Sequence, residues 1–330
     1  MSNTICVIGS NSFSGASFCR YLLSLGHTVI GVSRSKEPVI ALRPYAWDAH
    51  NGQFNFFQYD INVHLEEIDK MLDLHKPSHV YNFAAQSMVG ESWDRPEDWF
   101  KTNVVSSVNL HNRLRHKDYL ERYIHISTPE VYGSCSGYID EQQHFNPSTP
   151  YAVSRAAADM SLKTYFDVHQ FPVISTRAAN VYGEGQQLYR IIPKTILCAL
   201  LGDKLQLHGG GHSERSFIHI DDVSKATYLI ANEGKLGDCY HIATESTVTI
   251  RALVEQICQM MKVDFEQVCQ VVGDRKGKDA AYLLGTEKIR SELNWRDEIT
   301  LTEGLDRTIS WLTNNIDSLK TQPFEYIHKA

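Results

Sequence analysis

The chain has 330 residues, of which 42% are hydrophobic and 22% charged, and its net charge is −7 with His neutral. This is ordinary globular usage, with ample core for one large domain or two and no low-complexity run. Scattered Lys and Arg argue against a nucleic-acid groove, which needs clustered cations, and no apolar run approaches the roughly 18 residues of a membrane span.

The start, MSNTICVIGS, lacks the basic stretch and cleavage site of a signal peptide. Thr4 to Ile8 reads as a buried strand. The turn GSNSFSG follows, and then a helical face of Phe18, Tyr21, Leu22 and Leu25 that ends at Gly26. A second strand runs from Thr28 to Val32. Strand, Gly-bounded turn, helix, strand is the opening unit of a dinucleotide-binding fold. Gly9, Ser12, Phe13 and Gly15 are the candidate pyrophosphate residues, with the helix N-terminus behind them. Ser12 replaces the middle glycine, so the approach has to be wider or use the hydroxyl. After the second strand an NAD site usually carries an acid. This chain has Ser33-Arg34-Ser35-Lys36, and Arg34 can hold a 2′-phosphate through a bidentate fork. NADP is therefore expected over NAD.

Further strands are expected at 54–59, 79–83, 122–127 and 172–177, with helices at 64–75, 96–116 and 151–169. The alternation predicts an α/β protein, a Rossmann-type doubly wound parallel sheet. Its strand ends should bring Asp60, Ala84, Ala85, Ser127, Thr128 and Asn180 to one crevice. After about residue 180 the pieces shorten, with helices expected at 191–201, 248–262 and 303–314. The expected division is a dinucleotide-binding domain at 1–180 plus a segment near 217–240, and a smaller C-terminal substrate lobe at 181–216 and 241–330. Seven cysteines without a CxxC pair read as reduced, mostly buried thiols of a cytoplasmic protein. Fifteen His with no HExxH and no Cys/His cluster predict no metal.

These marks are joined by NFAAQS at 82–87, TNVVSSVNL at 102–110, STPEVYG at 127–133, YAVSR at 151–155, RAANVYG at 177–183, RSFIHIDDV at 215–223, YHIA at 240–243 and DRKGKD at 274–279. In this order, along nearly the whole length, the chain resembles an extended short-chain dehydrogenase/reductase. It is most similar to the nucleoside-diphosphate-hexose 4,6-dehydratases. The resemblance implies that Asp60 and Ile61 meet the adenine and that Ala84 and Ala85 line the cofactor cleft. It implies an oxidation centre of Thr128, Tyr151 and Arg155. Asn180, Arg215 and Arg275 would hold a nucleoside-diphosphate sugar, with Gln86 and Ser87 beside it, and Asn103 would be structural. A homodimer through helices 96–116 and 151–169 is also implied, with Val104, Val108, Leu110 and Ala156 to Ala158 permitting such a face.

Tyr151 and Arg155 are four apart and share a helix face. A phenol with a pKa near 10 is a poor base at neutral pH, and a fixed cation favours the phenolate. The phenolate takes a proton from a sugar hydroxyl while hydride leaves the same carbon. The family has lysine at 155; arginine keeps the charge but cannot relay a proton. Glu130 matches the dehydratase glutamate that removes the C5 proton. Pro129 stands where many relatives have an acid and can donate nothing; GDP-mannose dehydratases share that lack and favour NADP. The expected reaction is C4 oxidation, loss of water across C5–C6 and return of hydride to C6. The alternatives are a sugar-nucleotide 4-epimerase, a 4-ketosugar reductase, or, because Ser12, Pro129 and Arg155 depart from the pattern, an inactive NADP-binding regulator.

Overall fold

Alternate residues of the first strand, β1 (Thr4–Ile8), point to opposite sides of a sheet. In the computed structural model, which describes residues 3–273 and 283–329, Ile5 and Val7 enter one core and Cys6 and Ile8 another. A strand buried on both faces belongs at the centre of a parallel sheet. β1 occupies that place, followed by α1 (Phe13–Ser24), β2 (Thr28–Val32), β3 (Gln53–Phe57), α2 (Leu65–His75) and β4 (His79–Asn82). Next come α3 (Pro96–Phe100), a π-helical stretch (Lys101–Ser106), α4 (Ser107–Leu114), β5 (Arg122–Ile126), β6 (Tyr138–Ile139), α5 (Pro150–His169) and β7 (Val173–Ala178).

Two short strands, β8 (Asn180–Tyr182) and, after α6 (Ile191–Leu201), β9 (Leu205–His208), lead away from this layer. They are followed by β10 (Glu214–Arg215), β11 (Phe217–His219), α7 (Ile220–Glu233), β12 (Cys239–Ile242), β13 (Val248–Thr249) and α8 (Ile250–Met261). Then come α9 (Phe265–Val268), β14 (Cys269–Val272), β15 (Leu283–Leu284), α10 (Glu287–Leu293) and α11 (Leu301–Asn314). The main sheet is seven-stranded, in the order β12-β7-β5-β4-β1-β2-β3, and every pairing in it is parallel. The strand order reverses between β1 and β4, which opens a crevice at their carboxyl ends.

Phe18 and Leu22 of α1 and Ala231 of α7 cover one face of the sheet; Ile68, Leu72, Leu110 and Leu162 cover the other. A further core joins Tyr182, Ile192, Ile196, Leu253, Ile257, Leu305 and Trp311. Helix α7 and strand β12 were not resolved as elements by periodicity. Asp221 and Asp222 in the first turn of α7, with Gly234 after its last residue, were the available signals.

The helix expected at 96–116 is interrupted by the π-helical stretch, inside which Asn103 is fully buried. Asn103 accepts from the Gln86 amide at 2.8 Å and donates to the Gln86 carbonyl at 3.0 Å and Ser154 Oγ at 2.9 Å. The widened turn delivers this clamp between β4 and α5. Of the residues expected on a dimer face, Val104, Val108 and Ala157 stay partly exposed, and the other three need correction. Leu110, Ala156 and Ala158 are buried within this chain, because they supply the sheet-covering side of their helices. The apolar side chains left outside include Phe100, Val105, Val153 and Met160, with Val168 farther along α5.

His111, His125 and His241 are fully buried. Burial first, with cationic arginines beside it, pushes all three imidazoles below the ordinary value, His241 to about 3, although Asp159 opposes the shift at His125. The unfolded chain takes up these protons below about pH 6.5 and the folded chain refuses them, so stability falls as pH drops. Each group contributes at most about 1.4 kcal/mol per pH unit. Urea unfolding should therefore show about 2–4 kcal/mol less stability near pH 5.5 than near pH 7; equal midpoints would show that the folded chain binds these protons.

Candidate functional site

The turn after β1 owes its shape to two glycines. Gly9 has φ +89°, and a Cβ there would lie 2.7 Å from the Ala84 amide nitrogen. A Cβ on Gly15 would lie 2.3 Å from the Gly9 carbonyl oxygen. Ser12 does not offer its hydroxyl to a ligand: Oγ donates to the Gly9 carbonyl at 2.7 Å and accepts from the Gly15 amide at 3.1 Å, capping α1. Ser12, Phe13 and Ser14 still line a cleft of about 1190 Å³. A glycine-shaped cradle closed onto the N-terminus of a 12-residue helix fits a pyrophosphate.

The loop after β2 is organised by Ser33, whose Oγ accepts from the Asn11 amide at 2.9 Å. Asn11 also donates to the Ser35 carbonyl at 3.0 Å and accepts from Tyr45 Oη at 2.9 Å. Neither Asn11 nor Tyr45 was legible as a site residue, because only the fold brings Tyr45 to the turn. Asp60 is half-buried; its carboxylate accepts from the Asn62 amide at 2.8 Å and shapes the turn there. Ile61 is buried.

Of the strand-end residues expected to share one crevice, Ala85, Ser127, Thr128 and Asn180 line the cleft. Asp60 and Ala84 are not among its lining, nor are Gly9, Gly15, Ser33, Arg34, Ile61 and Gln86. The Ala84 amide donates to Asn82 Oδ1 at 3.0 Å. Ser87 and Arg215 do line the cleft, while Gln86 is only 2% exposed. Arg275 lies outside the described residues.

Thr128, Glu130, Tyr151 and Arg155 line the same wall. Thr128 ends the strand region and opens a 3-10 turn, Pro129–Tyr132, accepting from the Glu130 amide at 3.3 Å. Pro129 fits the first helical position, where no amide is needed. Helix α5 starts with Thr149 as cap and Pro150 next, which fixes Tyr151 in its first turn at the cleft. Tyr151 is 8% exposed.

The phenol departs from the sequence expectation. Burial raises the Tyr151 pKa, and Arg155, a hydrogen bond with Thr128 and the more distant Arg190 offset this only in part. The net direction is upward, so in this state the group is a protonated phenol. The Arg155 guanidinium is 2% exposed. It donates to the Ile126 carbonyl and, at 3.2 Å, to His125 Nε2. Its longer stem carries the cation to the floor of the cleft, against the end of β5.

Beneath it lies a set of residues missed from sequence. Asp159 accepts from Arg177 and from Ser127 Oγ, both at 2.7 Å, and its other oxygen is 3.3 Å from His125. Burial alone would raise the Asp159 carboxyl; Arg177, His125 and Arg155 outweigh it and hold it well below the carboxylate range. Arg177 also donates to Tyr132 Oη at 2.5 Å. The signal was available: Tyr151, Arg155 and Asp159 repeat at intervals of four on one helix face. Tyr189, Arg190 and Tyr326 complete the opposite wall of the cleft. Among the described residues no group of His, Cys, Asp and Glu could hold a metal ion, and no helix is long and apolar enough to cross a membrane.

A doubly wound parallel sheet whose crevice joins a glycine cradle to a Thr–Tyr–Arg wall defines a nicotinamide-dinucleotide enzyme of the extended short-chain dehydrogenase/reductase class. Residues 6–308 match the family model of GDP-mannose 4,6 dehydratase. The dTDP-glucose 4,6-dehydratase of Haemophilus influenzae is 31% identical over 95% of this chain and 99% of its own. The crystal structure of the dTDP-glucose 4,6-dehydratase of Streptomyces venezuelae, with NAD bound, superposes with a TM-score of 0.89 at 29% identity. It covers 96% of this chain and 99% of its own. The UDP-glucose 4-epimerase of Thermotoga maritima, solved with UDP-glucose, gives 0.86 at 25% identity over 95% and 99%. The chain belongs to the GDP-mannose 4,6-dehydratase family and is a nucleotide-sugar 4,6-dehydratase.

Proposed function

We propose that this chain converts a nucleoside-diphosphate hexose to its 4-keto-6-deoxy derivative through the residues of this one wall. The observation that carries the reading is the convergence of Thr128, Glu130 and Tyr151 on the cleft with Arg155 beneath them. The bound nicotinamide supplies a hydride acceptor that later gives the hydride back. Tyr151, hydrogen-bonded to Thr128, takes the proton of the sugar 4-hydroxyl. The resulting ketone makes the C5 proton acidic, and Glu130 removes it. The same carboxyl then protonates the departing 6-hydroxyl, the part that Pro129 cannot play. Arg155 lowers the cost of the phenolate and relays no proton.

Gly9, Ser12, Phe13 and Gly15 would cradle the pyrophosphate, Asp60 and Ile61 would meet the adenine, and Ala84 and Ala85 would line the cofactor cleft. Arg34 supports NADP as the form taken up here, since its fork suits a 2′-phosphate, although the solved dTDP-glucose 4,6-dehydratases carry NAD and the loop also holds Glu37, which accepts from Tyr45 Oη at 3.0 Å. Gln86, Ser87, Asn180 and Arg215, with Arg275, would hold the sugar nucleotide, the arginines on its diphosphate. The division into a dinucleotide domain and a substrate lobe is supported by the core around Trp311, most of whose members lie in the lobe and which Ala41 and Phe217 of the dinucleotide domain join. A homodimer is supported by the outward Phe100, Val105, Val153 and Met160 on neighbouring helices; a cytoplasmic site of action fits the buried thiols, Cys6 pushed up to about 12 by burial.

The test is incubation with a panel of GDP-, dTDP- and UDP-hexoses and either NAD or NADP, read by mass spectrometry. One product should be lighter than its substrate by one water, with the dinucleotide unchanged in amount. An isomeric product would favour the epimerase and dinucleotide consumption the reductase. Binding without any product would favour the inactive regulator.

A further inference from the structure

Residues 321–329 alternate between exposed and partly buried, the pattern of an extended segment laid on a surface. They lie beyond the family match, which ends at 308. Phe324 packs on the core around Trp311. Glu325 pairs with Lys194 at 2.6 Å. The Tyr326 ring meets Tyr189 edge-on at 5.6 Å, and its hydroxyl is 3.2 Å from His328 Nδ1. The His328 ring stacks on the buried Trp99 at 5.0 Å and 6°, and its Nε2 is 2.7 Å from Asp98.

The last of these contacts fall on the dinucleotide crevice itself. The Lys329 carbonyl accepts from Arg34 Nη1 at 3.0 Å and from Gln86 Nε2 at 2.5 Å. Lys329 Nζ reaches Ser35 Oγ at 3.3 Å. Arg34 follows β2 and Gln86 follows β4, and β1 lies between those strands. One peptide oxygen thus bridges the two sides of the switch point. A dinucleotide running from the β2 loop, over the Gly9 turn, to Tyr151 has to pass through that gap, and it needs the Arg34 fork that the carbonyl now holds.

We propose that Phe324–Lys329 is a strap whose Lys329 end bridges the dinucleotide crevice and has to lift before the dinucleotide can seat. The inference rests on the reading above that the dinucleotide lies along this crevice. The strap is held by a few side-chain contacts on an extended, half-exposed segment and by no sheet pairing among the described residues, the make-up of a segment that opens locally. Its seating lowers the apparent affinity by the fraction of chains that are open.

The experiment compares the full chain, a chain ending at Gln322 and His328→Ala, with NADPH and NADH as probes in stopped-flow fluorescence. In the full chain the observed rate should level off at the strap-lifting rate as dinucleotide rises. In the truncated chain it should rise linearly, with dissociation constants lower by about tenfold (about 1.4 kcal/mol). His328→Ala, which keeps the full length and loses the Trp99 stack, the Asp98 pair and the Tyr326 contact, should fall between. Equal or slower binding in both variants overturns the strap. If no form binds either dinucleotide although all are folded by circular dichroism, the crevice reading fails and the strap falls with it.

Discussion

Tyr151→Phe is expected to lower turnover of the sugar nucleotide by about 10³-fold, within the range that a positioned acid–base group supplies, while dinucleotide affinity stays within a few-fold. The phenol is 8% exposed, and the ring of Phe fills the same space. What is lost is the hydroxyl that hydrogen-bonds with Thr128. Single-turnover formation of the reduced nicotinamide, followed by its absorbance, should disappear, which places the defect at oxidation. Near-normal reduced nicotinamide would remove Tyr151 from this role. Arg155 supplies a companion test. Its charge is one of the two strongest influences opposing the upward shift of Tyr151. Arg155→Met therefore raises the phenol further, and the pH profile of kcat/KM moves to higher pH. Arg155→Lys restores a cation and should bring the profile back; a profile that stays displaced would show that the fork on His125 and Ile126 is required as well.

Glu130→Gln is expected to leave oxidation running and to stop water loss, with formation of 4-keto-6-deoxy product down by at least about 10²-fold. The amide keeps the size of the side chain and the 3-10 turn that Thr128 caps, because that cap uses the Glu130 backbone. It cannot accept the C5 proton. In solvent deuterium the variant should exchange C5 hydrogen far more slowly than the parent chain. The carboxylate also raises the Tyr151 phenol through its charge, so its removal makes oxidation slightly easier. Accumulation of reduced nicotinamide without product is thus the expected signature. Dehydration at the parental rate would make Pro129–Glu130 a turn and nothing more.

The sequence carried much of this molecule in local signals. The apolar runs at 4–8 and 28–32 became β1 and β2 at those bounds. Gly202 ends α6 with φ +74°, where a left-handed residue was needed. Tyr151 at the first turn of α5 followed from Thr149-Pro150, a cap and a helix-starting proline. The four-residue spacing of Tyr151 and Arg155 put them on one face, as a helix must.

The amino-acid order by itself determined the doubly wound sheet, the glycine-bounded turn and the placing of Tyr151 and Arg155 on one helix face, because each depends on spacing within one element or on backbone freedom at one residue. Only the tertiary structure decided how those groups are charged and what faces them. Burial of Tyr151 outweighs its cationic neighbours, the Arg155 fork is taken by β5, and the Ser12 hydroxyl is spent on its own turn. It also brought Lys329 to Arg34, 295 positions away in the chain. Desolvation and long-range contact are sums over neighbours from distant segments, so no local pattern holds them.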